Sequence, residues 1–91
     1  METPPERPFN ITVTVPKSDG PPPDPAEFAV AADQAASQRG ADGIISAHTA
    51  EQIICVVTVT EATPVAATAI ALAVVSDALS RVQVRVRLAP A

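Results

Sequence analysis

Ninety-one residues with a formal net charge of −4 predict one small domain. The sequence holds 18 alanines and 12 valines but only two aromatic residues, Phe9 and Phe28, so its core must be built from small and β-branched side chains. The acidic balance argues against nucleic acid as a partner, because affinity for nucleic acid comes mainly from lysine and arginine on phosphates. Residues 81–91 alone are basic, and any anion-binding function would have to use their three arginines.

Cys55 is the only cysteine, so it cannot form an internal disulfide, and its apolar flanks predict a reduced, buried thiol. The N-terminal segment has neither the basic start nor the apolar stretch of a secretory signal. The longest uninterrupted apolar run, residues 69–75, is far shorter than the ~20 residues of a membrane span. These features predict a cytoplasmic protein without a membrane partner. The bias toward alanine, valine, proline and arginine is typical of a GC-rich bacterial genome.

The chain opens with a proline-rich segment, residues 1–8, which we predict to be a disordered tail outside a single domain of residues 9–91. Apolar and polar residues then alternate over residues 9–15, which is the period of a half-buried strand. Pro16 ends this strand because it has no ladder donor. Residues 17–23 contain three consecutive prolines and are interpreted as a stiff spacer.

A first helix is predicted from Asp24 to about Arg39. Asp24 can cap it, Pro25 suits the first turn, and Glu27 follows at the spacing of a capping box. Gly40 supplies the left-handed residue that ends many helices. The predicted core face comprises Phe28, Ala31, Ala32 and Ala35.

Two strands are predicted next, residues 43–48 and 52–60, joined as a hairpin. In the second strand, one face carries Ile53, Cys55, Val57 and Val59, and the other carries Ile54, Val56, Thr58 and Thr60. The register of the hairpin is left open by the sequence, and so is the face that His48 occupies.

A second helix is predicted from Thr63-Pro64 to about Ser80. It has two apolar stripes at helical spacing. We predict that the first faces the core; it comprises Val65, Thr68, Leu72, Val75 and Leu79. We predict that the second faces outward; it comprises Ala67, Ile70, Ala71, Val74 and Ala78, and the first four of these are candidate interface residues.

Residues 82–88 alternate between apolar and polar and predict a last strand, with Gln83, Arg85 and Arg87 pointing outward. The resulting order, βαββαβ, predicts an α+β, two-layer ferredoxin-like sandwich: an antiparallel sheet of strand order 4-1-3-2 with two helices on one face. Such a widely shared fold does not specify a function.

The free face of that sheet is unusually poor in charge at its centre, which favours a covered surface. The candidate residues for an interface or a ligand site on this face are Asn10, Thr12, Thr14, Ile54, Val56, Thr58, Arg85 and Arg87. Arg85 and Arg87 have two interpretations, an anion site or charged protection of a sheet edge.

Other site chemistry is weak. His48 and Cys55 lie on neighbouring strands, but a buried thiol is inert, so catalysis by this pair is not expected. One histidine and one cysteine do not make a metal site. RNA-binding members of this fold carry aromatic residues on the central strands, metal-chaperone members carry paired cysteines in the first loop, and acylphosphatase-like enzymes carry an arginine there; all three features are missing.

The leading hypothesis is therefore a non-enzymatic module, without cofactor or metal, that forms a homodimer, binds a protein partner, or serves a larger protein as an accessory subunit. The alternative is a small-molecule binder that resembles regulatory domains of the ACT type, or a cofactor-free enzyme that resembles dimeric α+β barrels. Its site would combine His48 and the arginines of two subunits.

Overall fold

The structure is a computed structural model, which describes residues 5–17 and 23–88, with side chains described up to Val82. Its elements are β1 (Arg7–Pro16), α1 (Pro25–Gln38), β2 (Gly43–His48), β3 (Gln52–Glu61) and α2 (Pro64–Leu88). The strands form one antiparallel sheet of order β1-β3-β2, and both helices pack on the same face. The predicted α+β class, with an antiparallel sheet and two helices, is confirmed.

β3 lies at the centre of the sheet because its alternation is the most apolar. Ile53, Cys55, Val57 and Val59 are all buried beneath the helices. β1 pairs with β3 so that Val13 lies opposite Cys55, and β2 pairs with it so that Ile44 lies opposite Val57. β1 begins at Arg7, two residues before the predicted start, so the end of the predicted tail belongs to the strand.

The start of α1 follows the predicted capping chemistry. The Asp24 carboxylate accepts hydrogen bonds from the backbone N–H groups of Ala26 and Glu27, both at 3.1 Å, and Pro25 occupies the first turn. Gly40 has a φ of 78°, the left-handed conformation that favours glycine after a helix. The two ends of α1 are thus determined by local sequence.

The prediction of a fourth strand over residues 82–88 is wrong in this structure, because α2 continues through them to Leu88. No glycine or proline interrupts the chain between Pro64 and Leu88, so nothing stops the helix. Arg81 lies in α2 as well, and its Nε is 3.4 Å from Oδ1 of Asp77 at the favourable i,i+4 spacing. The sheet of the described residues therefore has three strands and not the order 4-1-3-2, and the backbone of Arg85 and Arg87 lies on α2.

The predicted core face of α2 is wrong for Val65, Thr68 and Leu72, which are exposed, and right for Val75, which is buried, and Leu79, which packs against the core. Ala67, Ala71 and Val74 are fully buried, whereas Val65 is 79% and Leu72 53% exposed. The physical reason is close packing: α1 presents alanines, and the alanine-rich stripe of α2 lets the two helices approach more closely than the stripe with leucines would. Ile70 is half-buried at the margin of the same core. The proposed helix-face interface is therefore core.

One helical segment, Pro64–Val82, is long and apolar enough to span a membrane by length and composition, with a mean hydropathy of 1.6. The sequence argument from uninterrupted runs overlooked it, because Thr68, Ser76 and Asp77 break the run without making the window polar. Within this fold the segment packs as a core helix on β3, β1 and α1.

Candidate functional site

The face of the sheet opposite the helices is the main candidate site and is called here the open sheet face. It carries the outward residues of all three strands: Pro8, Asn10, Thr12, Thr14 and Pro16 from β1; Gln52, Ile54, Val56, Thr58 and Thr60 from β3; and Gly43, Ile45 and Ala47 from β2. None of these residues is charged. Among the described residues, no helix covers them.

The registers arrange the open sheet face in rows. Thr12, Val56 and Ile45 form the central row across β1, β3 and β2, because Val56 is paired with both of the others. Ile54 joins Thr14 and Ala47 in the next row. The face is thus apolar where Ile54 and Val56 of β3 adjoin Ile45 and Ala47 of β2, and it is polar along β1 and at both ends of β3.

Ile45 is the most exposed part of the apolar area, with 72% of its surface accessible. On the other side of the face, the Thr58 hydroxyl donates a 2.9 Å hydrogen bond to Oδ1 of Asn10 on the neighbouring strand. This pairing satisfies polar groups within the face, and the charge that contacts it, the Asp42 carboxylate, lies at its margin, where it accepts a hydrogen bond from the Thr60 hydroxyl. The arrangement suits contact with another uncharged surface more than capture of an ion.

Six of the predicted site residues lie on this face: Asn10, Thr12, Thr14, Ile54, Val56 and Thr58. The sequence reasoning missed Ile45 and Ala47, because it left the hairpin register open. A signal was available: Thr49 closes the hairpin by accepting hydrogen bonds from the N–H groups of Glu51 and Gln52 on its hydroxyl. That short turn fixes the register of β2. Arg85 and Arg87 are not on the sheet, so the predicted anion site beside Thr12 and Thr14 is not assembled.

His48 lies on the helix-covered face. Its ring meets Phe28 edge-to-face, with ring centroids 5.7 Å apart. Its Nε2 is buried and has no hydrogen-bond partner in the part of the chain that the structure describes. On β2, the residue paired with Cys55 is Ser46, not His48. His48 therefore cannot contribute to a site on the open sheet face, and it acts in packing.

Cys55 is fully buried at the centre of the core, and burial raises the pKa of its thiol. A buried thiol in apolar surroundings is a poor nucleophile. The predicted reduced, buried state fits this environment. Neither residue of the His48–Cys55 pair is arranged for covalent chemistry.

The raised pKa of Cys55 predicts a loss of stability at alkaline pH. The folded state keeps the thiol neutral, while the unfolded chain ionises it near its ordinary pKa of 9.0. Stability from this group is full below that value and falls as pH rises from it toward the folded pKa. We expect the urea midpoint of the wild type to fall more than that of Cys55→Val between pH 8.5 and 10. Parallel curves for the two proteins would contradict this expectation.

A shallow open cleft lies beside the C-terminal half of α1, lined in part by Asp33, Ser37 and Asp42. Asp42 already accepts a hydrogen bond from the Thr60 hydroxyl. Within the described residues, no cluster of three or more histidine, cysteine or acidic side chains has metal-binding geometry. The cleft offers no group with ligand-directed chemistry.

Compared with protein-family models, with curated proteins and with solved structures, the chain matches none of them.

Proposed function

We propose that this protein is a self-associating module and that a second copy of the chain covers the open sheet face. The single observation that carries the proposal is a three-stranded sheet surface with no charged residue and with Ile45 projecting from it. A sheet face in water normally alternates apolar residues on the core side with charged and polar residues outside. Here Ile54, Val56 and Ile45 continue an apolar area on the outer side.

A second copy is the occupant that suits this surface best. No strand residue of the face is charged, so a charged patch of a partner would find no complementary side chain among them. A two-fold contact places the same patch on both subunits, and an uncharged patch meets itself without repulsion. A thin core of alanine and valine also gains from the extra burial.

The alternative function is a ligand site between paired sheets, and the residues that would form it do not lie on the open sheet face. His48 faces the helices, and the backbone of Arg85 and Arg87 lies on α2. The proposal places the module in the cytoplasm of a bacterium. An accessory role beside a larger protein is also part of the proposal, as a setting in which the module would act.

Ile45→Lys tests the proposal. Lysine at this position places a charge in the centre of the proposed contact and removes an apolar side chain, while the monomer loses little because Ile45 is mostly exposed. We expect the dissociation constant of the assembly to rise at least ~100-fold, the equivalent of about 3 kcal/mol. Sedimentation equilibrium over a concentration series measures it directly.

Val65→Lys is the matched control, because Val65 is equally exposed but lies on α2, away from the sheet. It should leave the mass unchanged. A wild type that stays at its monomer mass of 9.3 kDa up to millimolar concentration would overturn the proposal. Equal dissociation constants for Ile45→Lys and the wild type would place any contact elsewhere.

A further inference from the structure

The outer edge of β1 is the second unpartnered surface of the sheet. β1 is ten residues long and, within residues 5–17 and 23–88, pairs on one side only, with β3. The other edge strand, β2, has six residues. Natural sheets protect exposed edges by short strands, bulges, prolines or lysines, since free backbone groups recruit other strands. β2 is protected by its shortness, whereas β1 is long and has prolines only near its two ends, at Pro8 and Pro16.

The hydrogen-bonding pattern identifies which groups of β1 point outward. The N–H of Lys17 donates to the carbonyl of Glu51 at 2.9 Å. In an antiparallel pair, the backbone N–H and C=O groups of the odd-numbered residues of β1 therefore point toward β3. The N–H groups of Asn10, Thr12 and Thr14 therefore point away from the sheet. Among the described residues, no strand pairs with them.

Two prolines bracket this row of donors. Pro8 and Pro16 are even-numbered, as Thr12 is, and lie the same number of residues before and after it along β1. Both are at positions whose N–H would point to the free edge, where a proline costs no bond to β3. The edge therefore has a donor row with defined ends, centred on Thr12.

We propose that this edge pairs, antiparallel, with β1 of a second copy about a two-fold axis at Thr12. In that register Asn10 lies opposite Thr14 of the other copy, and the strands exchange about six ladder hydrogen bonds. Pro8 and Pro16 meet each other at the two ends, where the ladder stops. A shift by two residues would set a proline opposite Asn10 or Thr14 and leave a carbonyl of that residue without a donor.

The helix-covered face of β1 supports the same pairing. Its side chains, those of Phe9, Ile11, Val13 and Val15, are only half-buried, whereas their neighbours on β3 are fully buried or nearly so. In the proposed register Ile11 lies opposite Val13, and Phe9 opposite Val15, of the other copy. Cross-strand pairs of aromatic and β-branched residues are favourable.

The charged residues at the strand ends are balanced. Lys17 of one copy would meet Arg7 of the other, and like charges directly opposite are unfavourable. Each has a glutamate opposite it on β3, Glu51 beside Lys17 and Glu61 beside Arg7. The four side chains therefore carry no net charge.

Edge pairing also explains how the open sheet face reaches a useful size. One three-stranded face measures roughly 14 by 30 Å, about 420 Å². A stable interface takes about 800 Å² of each partner. Two domains joined through β1 have their open sheet faces on the same side, so together they present roughly twice the area. We therefore expect the joined pair, and not the single domain, to be the unit whose open sheet face is covered by further copies. This step goes beyond the face contact of the proposed function and is tested separately from it.

Thr12→Pro is the decisive variant, because it removes the central outward donor while the N–H groups that bond to β3 stay intact. Thr12→Val is its matched control, since it removes the hydroxyl and keeps the N–H. Because the Thr12 side chain also lies in the central row of the open sheet face, the two variants are compared with each other and not with the wild type alone. We expect the mass of Thr12→Pro at a given concentration to be at most half that of Thr12→Val, with the circular dichroism spectrum of both retained. In the assembled wild type, the amides of Asn10 and Thr14 should exchange with deuterium at least ~10-fold more slowly than the same two amides in Thr12→Pro diluted to monomer. The Thr12 amide of the assembled wild type should be protected to a similar degree.

Equal masses for Thr12→Pro and Thr12→Val would overturn the edge proposal, and so would fast exchange of these amides in the assembled protein. Protection of the same amides in a strict monomer would overturn it in favour of a strand from the same chain. Failure of the face contact gives a different result: Ile45→Lys then keeps the wild-type mass while Thr12→Pro lowers it.

Discussion

Val74→Glu is expected to unfold the domain, while Leu72→Glu, two residues earlier on the same helix, leaves it folded. Val74 is fully buried between the helices and the sheet, and Leu72 is 53% exposed. A carboxylate at Val74 would be buried among apolar side chains and would lack a cationic partner there. Burial of an unpaired charge costs several kcal/mol, a large part of the roughly 5–14 kcal/mol that holds a domain of this length together.

Urea unfolding followed by circular dichroism measures the two variants. We expect Val74→Glu to lose at least ~4 kcal/mol or to be unfolded without urea, and Leu72→Glu to stay within about 0.5 kcal/mol of the wild type. Val74→Ala provides a measurable value if the glutamate variant does not fold, with an expected loss of about 2–3 kcal/mol from the cavity. Equal losses for Val74→Glu and Leu72→Glu would contradict the orientation of α2.

This pair of variants addresses the point at which sequence reasoning chose the wrong side of a helix. Both stripes of α2 are apolar at the correct spacing, so periodicity alone cannot separate the stripe of Val65 and Leu72 from that of Ala67 and Val74. The choice depends on the partner surface: α1 is lined with alanines, and small residues on both helices bring their axes together. That partner is known only once α1 is placed.

The elements that were predicted correctly are those with local determinants. β1 alternates strictly, α1 has its cap at Asp24 and its left-handed glycine at Gly40, and β3 has a continuous apolar face. The last segment has a strand-like alternation over residues 82–88 but follows a helix with no breaker before it, and helix propagation overrides the alternation. The open sheet face was predicted in part, because β1 and β3 carry clear alternation while the contribution of β2 required the hairpin register.

Phe28→Ala has the second large expected effect, because Phe28 is the only large ring in the buried core. The surrounding side chains are alanines and valines with little freedom to close a cavity of that size, and His48 would lose its edge-to-face contact. We expect a loss of about 3–5 kcal/mol in the free energy of unfolding. Chemical denaturation with a common m-value across the variants measures this loss.

Val30→Ala is the control on the same helix, since Val30 is 51% exposed, and it should change stability by less than about 0.5 kcal/mol. Phe28→Leu separates ring-specific contact from burial: it keeps most of the apolar volume, so it should recover more than half of the loss seen with alanine. A loss of under ~1 kcal/mol for Phe28→Ala would contradict a core organised around this ring. A small domain with one large ring in its buried core buries little apolar surface by itself. Burial of a second surface, at the open sheet face and the β1 edge, would therefore add substantially to its free energy of unfolding.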